Sequence, residues 1–174
     1  MTMKRTLLAI AASVAIVGAL ETPAHSATAL WKQTELWTIT GHTDNSVCIA
    51  SSRYTDGVML LIVHNGTGWA LGIEGNDINA TPGEAFQVAM AFDKGEPFAL
   101  PMTGIDIGQV QTPELNDKFA ATFATSGTIH IKGIGSYDLT GSAEAIKETI
   151  ACQSALSERR LSQAWEPKPT DQGV

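Results

Sequence analysis

Cysteine is scarce in this chain, with only Cys48 and Cys152 among 174 residues. That excludes a disulfide-dense small scaffold, and without a CxxC spacing it leaves no thiolate zinc motif. Bases are also few. Eleven Lys and Arg stand against 18 Asp and Glu, a net charge of −7, so a phosphate backbone is repelled and nucleic acid is not expected as a partner. Charged residues make up 17% and apolar residues 44%, which excludes a wholly disordered chain and a long coiled coil. The signatures of common catalysts are missing as well: no Gly-x-Ser-x-Gly, no Ser-x-x-Lys, no His-Glu-x-x-His, no P-loop and no GxGxxG after a strand. No catalytic residue, cofactor or metal ligand is therefore assigned, and the protein is expected not to be an enzyme.

What is present begins at the N-terminus. Lys4 and Arg5 precede an uncharged apolar run from Leu7 to Leu20, followed by Glu21, Pro23 and the small-residue cluster Ala24-His25-Ser26-Ala27-Thr28-Ala29. Basic, then apolar, then small is the order of a secretory signal peptide. The run falls short of the ~20 residues that cross a bilayer. Cleavage is expected between Ser26 and Ala29, with residues 1–27 as the leader. Loss of Lys4, Arg5 and Glu21 leaves nine bases and seventeen acids, a net of −8. No later apolar run approaches membrane-spanning length, so no transmembrane segment is expected after cleavage, and the location is periplasmic or secreted.

In an oxidising compartment an even cysteine count favours a bond. Cys48 and Cys152 are 104 positions apart, and closing so long a loop is worth roughly 4 to 5 kcal/mol in the chain-entropy model.

Along the chain, Leu36–Thr40, Val47–Tyr54, Val58–His64, Trp69–Ile73, Phe86–Phe92, Phe98–Met102 and Thr128–Ile134 read as strands, with Gly41–Ser46 as a loop. Thr55-Asp56-Gly57 and Asn65-Gly66-Thr67-Gly68 are turns between them. Val58-Met59-Leu60-Leu61-Ile62-Val63 is apolar on both faces and should be covered on both sides. Thr112-Pro113-Glu114 reads as a helix start with Thr112 as cap, and Leu115, Phe119 and Phe123 as its apolar face. A second helix is expected near Ser142, with that residue as cap and an inward arc of Ile146, Thr149, Ile150, Cys152 and Leu156. Residues 28–165 form one domain and 166–174 a tail. The fold class is α+β: a mostly antiparallel sheet or sandwich of about six to eight strands, a count taken from turn spacing, with two helices. The C-terminal helix is expected to be tied to an early strand by the disulfide.

Other candidate groups have ordinary readings. His42, His64 and His130 lack ligand spacing. Asp44, Asp56, Glu74, Asp77, Glu84 and Asp93 lie mostly in turns, where acids are common. Asn65-Gly66-Thr67 and Asn79-Ala80-Thr81 match the glycosylation pattern but also read as turns. Trp37 and Trp69 fall in strand patterns and should be core. Trp31 and Trp165 flank the domain and are the candidate partner contacts, since Trp is enriched at binding hot spots.

The segment Tyr137-Asp138-Leu139-Thr140-Gly141-Ser142, followed by Ala145 and Cys152, resembles the closing strand-to-helix passage of the invasion-associated locus B-like family. These are small exported proteins of alphaproteobacteria. The likeness extends to Tyr54-Thr55-Asp56-Gly57 and Trp69; Ser142 stands where an aromatic residue is expected. The resemblance implies a β-rich, exported, non-enzymatic accessory protein acting through contact with another protein or an envelope component. A small-molecule-binding periplasmic protein and a hydrolase with an unrecognised site are the alternatives.

Overall fold

The computed structural model describes residues 28–164, with side chains through Arg159. The expected leader over residues 1–27 and the expected tail over 166–174 lie outside the described residues. Ten strands form one sheet in which every paired neighbour is antiparallel. They are β1 (Thr28–Gln33), β2 (Thr38–His42), β3 (Val47–Arg53), β4 (Met59–His64), β5 (Trp69–Glu74), β6 (Ala85–Phe92), β7 (Phe98–Asp106), β8 (Gln109–Gln111), β9 (Thr128–Ile131) and β10 (Gly135–Asp138). Helix α1 (Asp117–Thr125) joins β8 to β9, and α2 (Ser142–Ala164) follows β10. The spatial order β1-β2-β3-β4-β5-β8-β7-β6-β9-β10 joins the β1–β5 meander to the β6–β8 meander at β5 and β8, and the β9–β10 hairpin adds on at β6.

The sheet has more strands than turn spacing indicates. β1 has no period-two pattern because a bulge between Leu30 and Lys32 inserts Trp31 as an extra residue. β8 is only three residues long, below the length at which alternation is readable. β2 runs on to His42, so the expected Gly41–Ser46 loop shrinks to a four-residue turn.

Both helix caps differ from expectation. α1 is capped by Asn116, whose side-chain oxygen accepts the Phe119 N–H at 3.1 Å. Thr112 instead extends the β5–β8 pairing: its hydroxyl accepts the Leu71 N–H at 3.0 Å and its own N–H donates to Leu71. Leu115 consequently precedes the helix, bridged to Trp69. Ser142 opens α2 without capping it, because its hydroxyl donates to the Phe123 carbonyl at 3.1 Å, near the C-terminal end of α1. Ile150 also departs from the inward arc and is 47% exposed. The buried face of α2 is Ala145, Ile146, Thr149, Cys152 and Gln153.

The core lies on one face of the sheet. Cys48, Ala50, Leu60, Ile62, Leu71, Ile73, Val110, Met102, Met90, Ile129 and Ile131 line it, with Phe123 and Trp37 filling the space toward the helices. Helix α2 packs over β2, β3 and β4 and against α1. The sheet curls enough to bring β10 back to the β3–β4 turn. Tyr54 donates its phenol to the Asp138 carbonyl at 2.6 Å, and Tyr137 donates to the Asp56 carboxylate at 3.1 Å. The Trp37 indole also donates to the Thr140 carbonyl at 3.0 Å. The segments Tyr54–Gly57 and Tyr137–Ser142 thus meet in one structural latch.

Cys48 and Cys152 are bonded, with their Cα atoms 6.1 Å apart. The bond joins β3 to α2 across the core. Gly41, opposite Cys48 on β2, is small for a reason: a Cβ there would lie 3.2 Å from the Cys152 Sγ.

Candidate functional site

Most of the groups that could carry hydrolysis are committed locally. Asp93 accepts the N–H groups of Gly127 and Thr128, each at 2.9 Å, so it stitches the β6–β7 turn to the start of β9. Glu84 accepts the Thr81 N–H at 3.2 Å. Asp56 holds the Val58 N–H as well as the Tyr137 phenol, and Glu74 pairs with Arg53 at 3.3 Å. Burial, and then the bond to Asp56, push the Tyr137 phenol up to about 12. His42 meets Thr28, and His130 meets Ser136 across the β9–β10 pair at 2.6 Å. Asn65 turns its side-chain oxygen back on Thr67 and Gly68, an Asx turn. Among the described residues no group of three or more His, Cys, Asp or Glu could hold a metal ion.

His64 is different, because it faces the core. It lies beside Cys48 across β3–β4, and its ring is 4.3 Å from that of Trp69. Its Nδ1 is buried without a hydrogen-bond partner, as is the Gln153 Oε1 of α2. Burial lowers the His64 pKa, and the charge of Asp117 opposes that shift. Asp117 in turn accepts from the Trp69 indole at 3.0 Å.

Trp37 and Trp69 are buried in the core, as their surroundings in sequence imply. Trp31 is 44% exposed on the edge strand and turns toward α2, where its indole donates to Glu148 at 3.3 Å. The bulge puts Trp31 and Lys32 on the same side, and Lys32 bonds Glu144 and Glu148 at 2.8 and 2.9 Å. These bonds raise the Lys32 pKa and lower that of Glu148. Trp165 lies outside the described residues.

Two apolar surfaces bear on function, and the sequence pointed only to the first, through the two-sided apolarity of β4. The first is the outer face of β1–β5. Leu60 and Ile62 point into the core, whereas Met59, Leu61 and Val63 point away and are half-buried. Pairing aligns Val63 with Ile49, Ile49 with Thr40 and Thr40 with Leu30, the last 62% exposed. Leu61 lies over Gly72 on the same face. Both helices lie against the other face, and among the described residues no helix covers this one. The expectation of cover on both sides of β4 is thus corrected: only the inner side is closed from within the described chain.

The second surface is a groove of about 500 Å³ between α1 and the inner face of β6–β7. Phe92 stacks on Phe98 with ring centres 5.6 Å apart and meets Phe119 at 5.7 Å. Leu100 and Leu115 complete the apolar floor, with Glu114, Asn116 and Lys118 at the edge. Helical spacing placed Phe119 on a core-facing side, and alternation placed Phe92 on one strand face. That the two faces would meet without closing is a tertiary property. The available signal was density, since four of the five phenylalanines lie between positions 92 and 123.

Among known proteins, the chain matches no family model, no curated sequence and no solved structure.

Proposed function

We propose that this is an exported protein, periplasmic or secreted, that acts without catalysis by contacting another protein of the envelope, in keeping with its resemblance to the invasion-associated locus B-like proteins. The observation that carries the reading is the uncovered outer face of β1–β5. A strand with apolar side chains on both sides is stable in water only where something shields the second side. Here Leu30, Ile49, Leu61 and Val63 form an apolar field, bordered at Met59 by the Arg53–Glu74 ion pair, on a chain whose net charge is −7. Depletion of charge at the centre of a patch is the compositional mark of a protein contact. The disulfide supports export, because such bonds persist in oxidising compartments. Trp31, at the β1 edge, turns to Glu148 of α2 on the other side of the sheet and stands apart from this field.

The test is site-specific photocrosslinking in the native envelope. A photoreactive residue at Val63 or Leu30 should give one discrete adduct with a different protein. One at Gln87, on the outer face of β6, should not. Leu61→Lys should abolish the adduct while leaving the melting curve of the isolated protein within a few degrees. Equal labelling from Gln87, or an adduct that survives Leu61→Lys, would overturn the proposal.

A further inference from the structure

We propose that the phenylalanine groove beside α1 binds a single-chain amphiphile with an anionic head group, of which a fatty carboxylate is the simplest example. This goes beyond the contact function and uses a different surface on the opposite face of the sheet.

The volume, about 500 Å³, is in the range of small-molecule sites, which span roughly 300–1,000 Å³. The walls indicate the shape of the occupant. Phe92 already touches Phe98 and Phe119, with ring centres 5.6 and 5.7 Å away. The rings therefore leave no slot between them for another flat ring, but their outward faces form a trough floored by Leu100 and Leu115. A flexible hydrocarbon chain can lie along such a trough and bury itself against all of these side chains.

The rim indicates the charge. Glu114, the acid lining the groove, accepts from the Thr67 hydroxyl at 3.0 Å and sits against Gly68, which commits it to the β4–β5 turn. Asn116 uses its side-chain oxygen on the Phe119 N–H, so what it retains to offer is its NH₂ group. The Lys118 ammonium has no hydrogen bond or ion pair within the described chain. An apolar trough edged by an uncommitted ammonium and an amide donor complements an anionic head on an apolar tail. The neighbouring Asp117 is engaged by the Trp69 indole and does not line the groove.

The experiment uses the exported, disulfide-intact protein and three ten-carbon probes below their micelle concentrations: decanoate, decyltrimethylammonium and decyl maltoside. Calorimetry and amide chemical shifts are the readouts. Decanoate should bind one to one and shift the amides of Lys118 and Phe119, at least tenfold more tightly than the cationic probe. Lys118→Glu should weaken decanoate about tenfold. Lys118→Arg should restore it, and Lys118→Met should remove the preference for the anion while keeping decyl maltoside affinity within twofold. Lys118 is exposed on α1, so these variants should keep the native melting temperature. Equal binding of all three probes, no binding of decanoate, or indifference to Lys118→Glu would each overturn the proposal. Binding to phosphatidylglycerol vesicles without binding to decanoate would assign the anion to a lipid surface and overturn it likewise.

Discussion

The β1–β5 half of the sheet and the β6–β10 half bury their faces in opposite ways. In the first half the inner face is sealed by α2 and fastened by Cys48–Cys152, while the outer face carries Leu30, Ile49, Leu61 and Val63. In the second half the outer face carries mainly small and polar side chains, with Gln87, Ala89, Ala91, Ala99, His130 and Ser136 and a shallow groove that Pro97 and Ile134 also line, and the inner face opens into the phenylalanine groove. Helix α2 has 23 residues and α1 has nine. A short helix cannot cover as much sheet as a long one, so the second half keeps an unfilled trough inside. The first half is closed within and keeps its unshared apolar surface without. Edges are protected on both sides: β1 by its bulge and β10 by its four-residue length and the tyrosine latch.

The largest expected effect breaks the first half alone. Replacing both cysteines, Cys48→Ser with Cys152→Ser, should cost about 4 kcal/mol in a urea unfolding titration. Native-state hydrogen exchange should then show amides of β2, β3 and α2 opening before those of β6 and β9. A loss below ~1 kcal/mol, or uniform opening, would show that the clamp does not distinguish the halves. The next effect concerns the place where the halves meet. Tyr137→Phe removes the donor to Asp56 and leaves the ring in place, so it should cost about 1–2 kcal/mol. Because β10 forms the edge at that point, the exchange of β9 and β10 should rise while α2 is unchanged. Faster exchange in α2 would instead tie the latch to the clamped half.

How much of this was legible depended on whether a feature was local. Phe86, Val88, Met90 and Phe92 alternate cleanly, and β6 forms where the alternation says. The cysteine pair followed from parity and compartment, and Cys152 faces inward as its helical position implied. Thr112 shows the limit. Thr-Pro-Glu is a sound helix opening on local grounds, but pairing with Leu71 holds Thr112 in the sheet and Asn116 takes the cap. Ser142 was lost to a contact 19 positions away, the Phe123 carbonyl. The apolar outer side of β4 was legible, but that it stays uncovered, and that the groove exists, were not. Each depends on which neighbour fails to cover a surface, and that is decided by the lengths and placement of elements distant in sequence.

The smallest expected effect concerns His64, which lies on β4 within the clamped half, beside Cys48 and Trp69. Gln153 of α2 is set against the β4–β5 turn that follows it, with its Nε2 close to Gly66, and Trp69 beside His64 reaches Asp117 at the start of α1. Burial lowers the His64 pKa in the folded protein, against the opposing charge of Asp117. The unfolded chain therefore takes up a proton first as the pH falls. Folding stability is complete above the ordinary histidine pKa of about 6.5 and declines as the pH drops from there toward the lowered folded value. His64→Gln should flatten this part of the stability–pH curve without altering the region above neutrality. The buried Nδ1 has no partner to compensate a second ring proton, so protonation should also loosen the contact between the β4–β5 turn and α2. Amide exchange at Gly66 and Gln153 should accelerate at pH 5 relative to pH 8 after correction for the intrinsic rate, and the variant should lose that acceleration. If it persists in His64→Gln, the acid sensitivity belongs to carboxylates elsewhere, and the β4–β5 turn is held by packing against Trp69 alone.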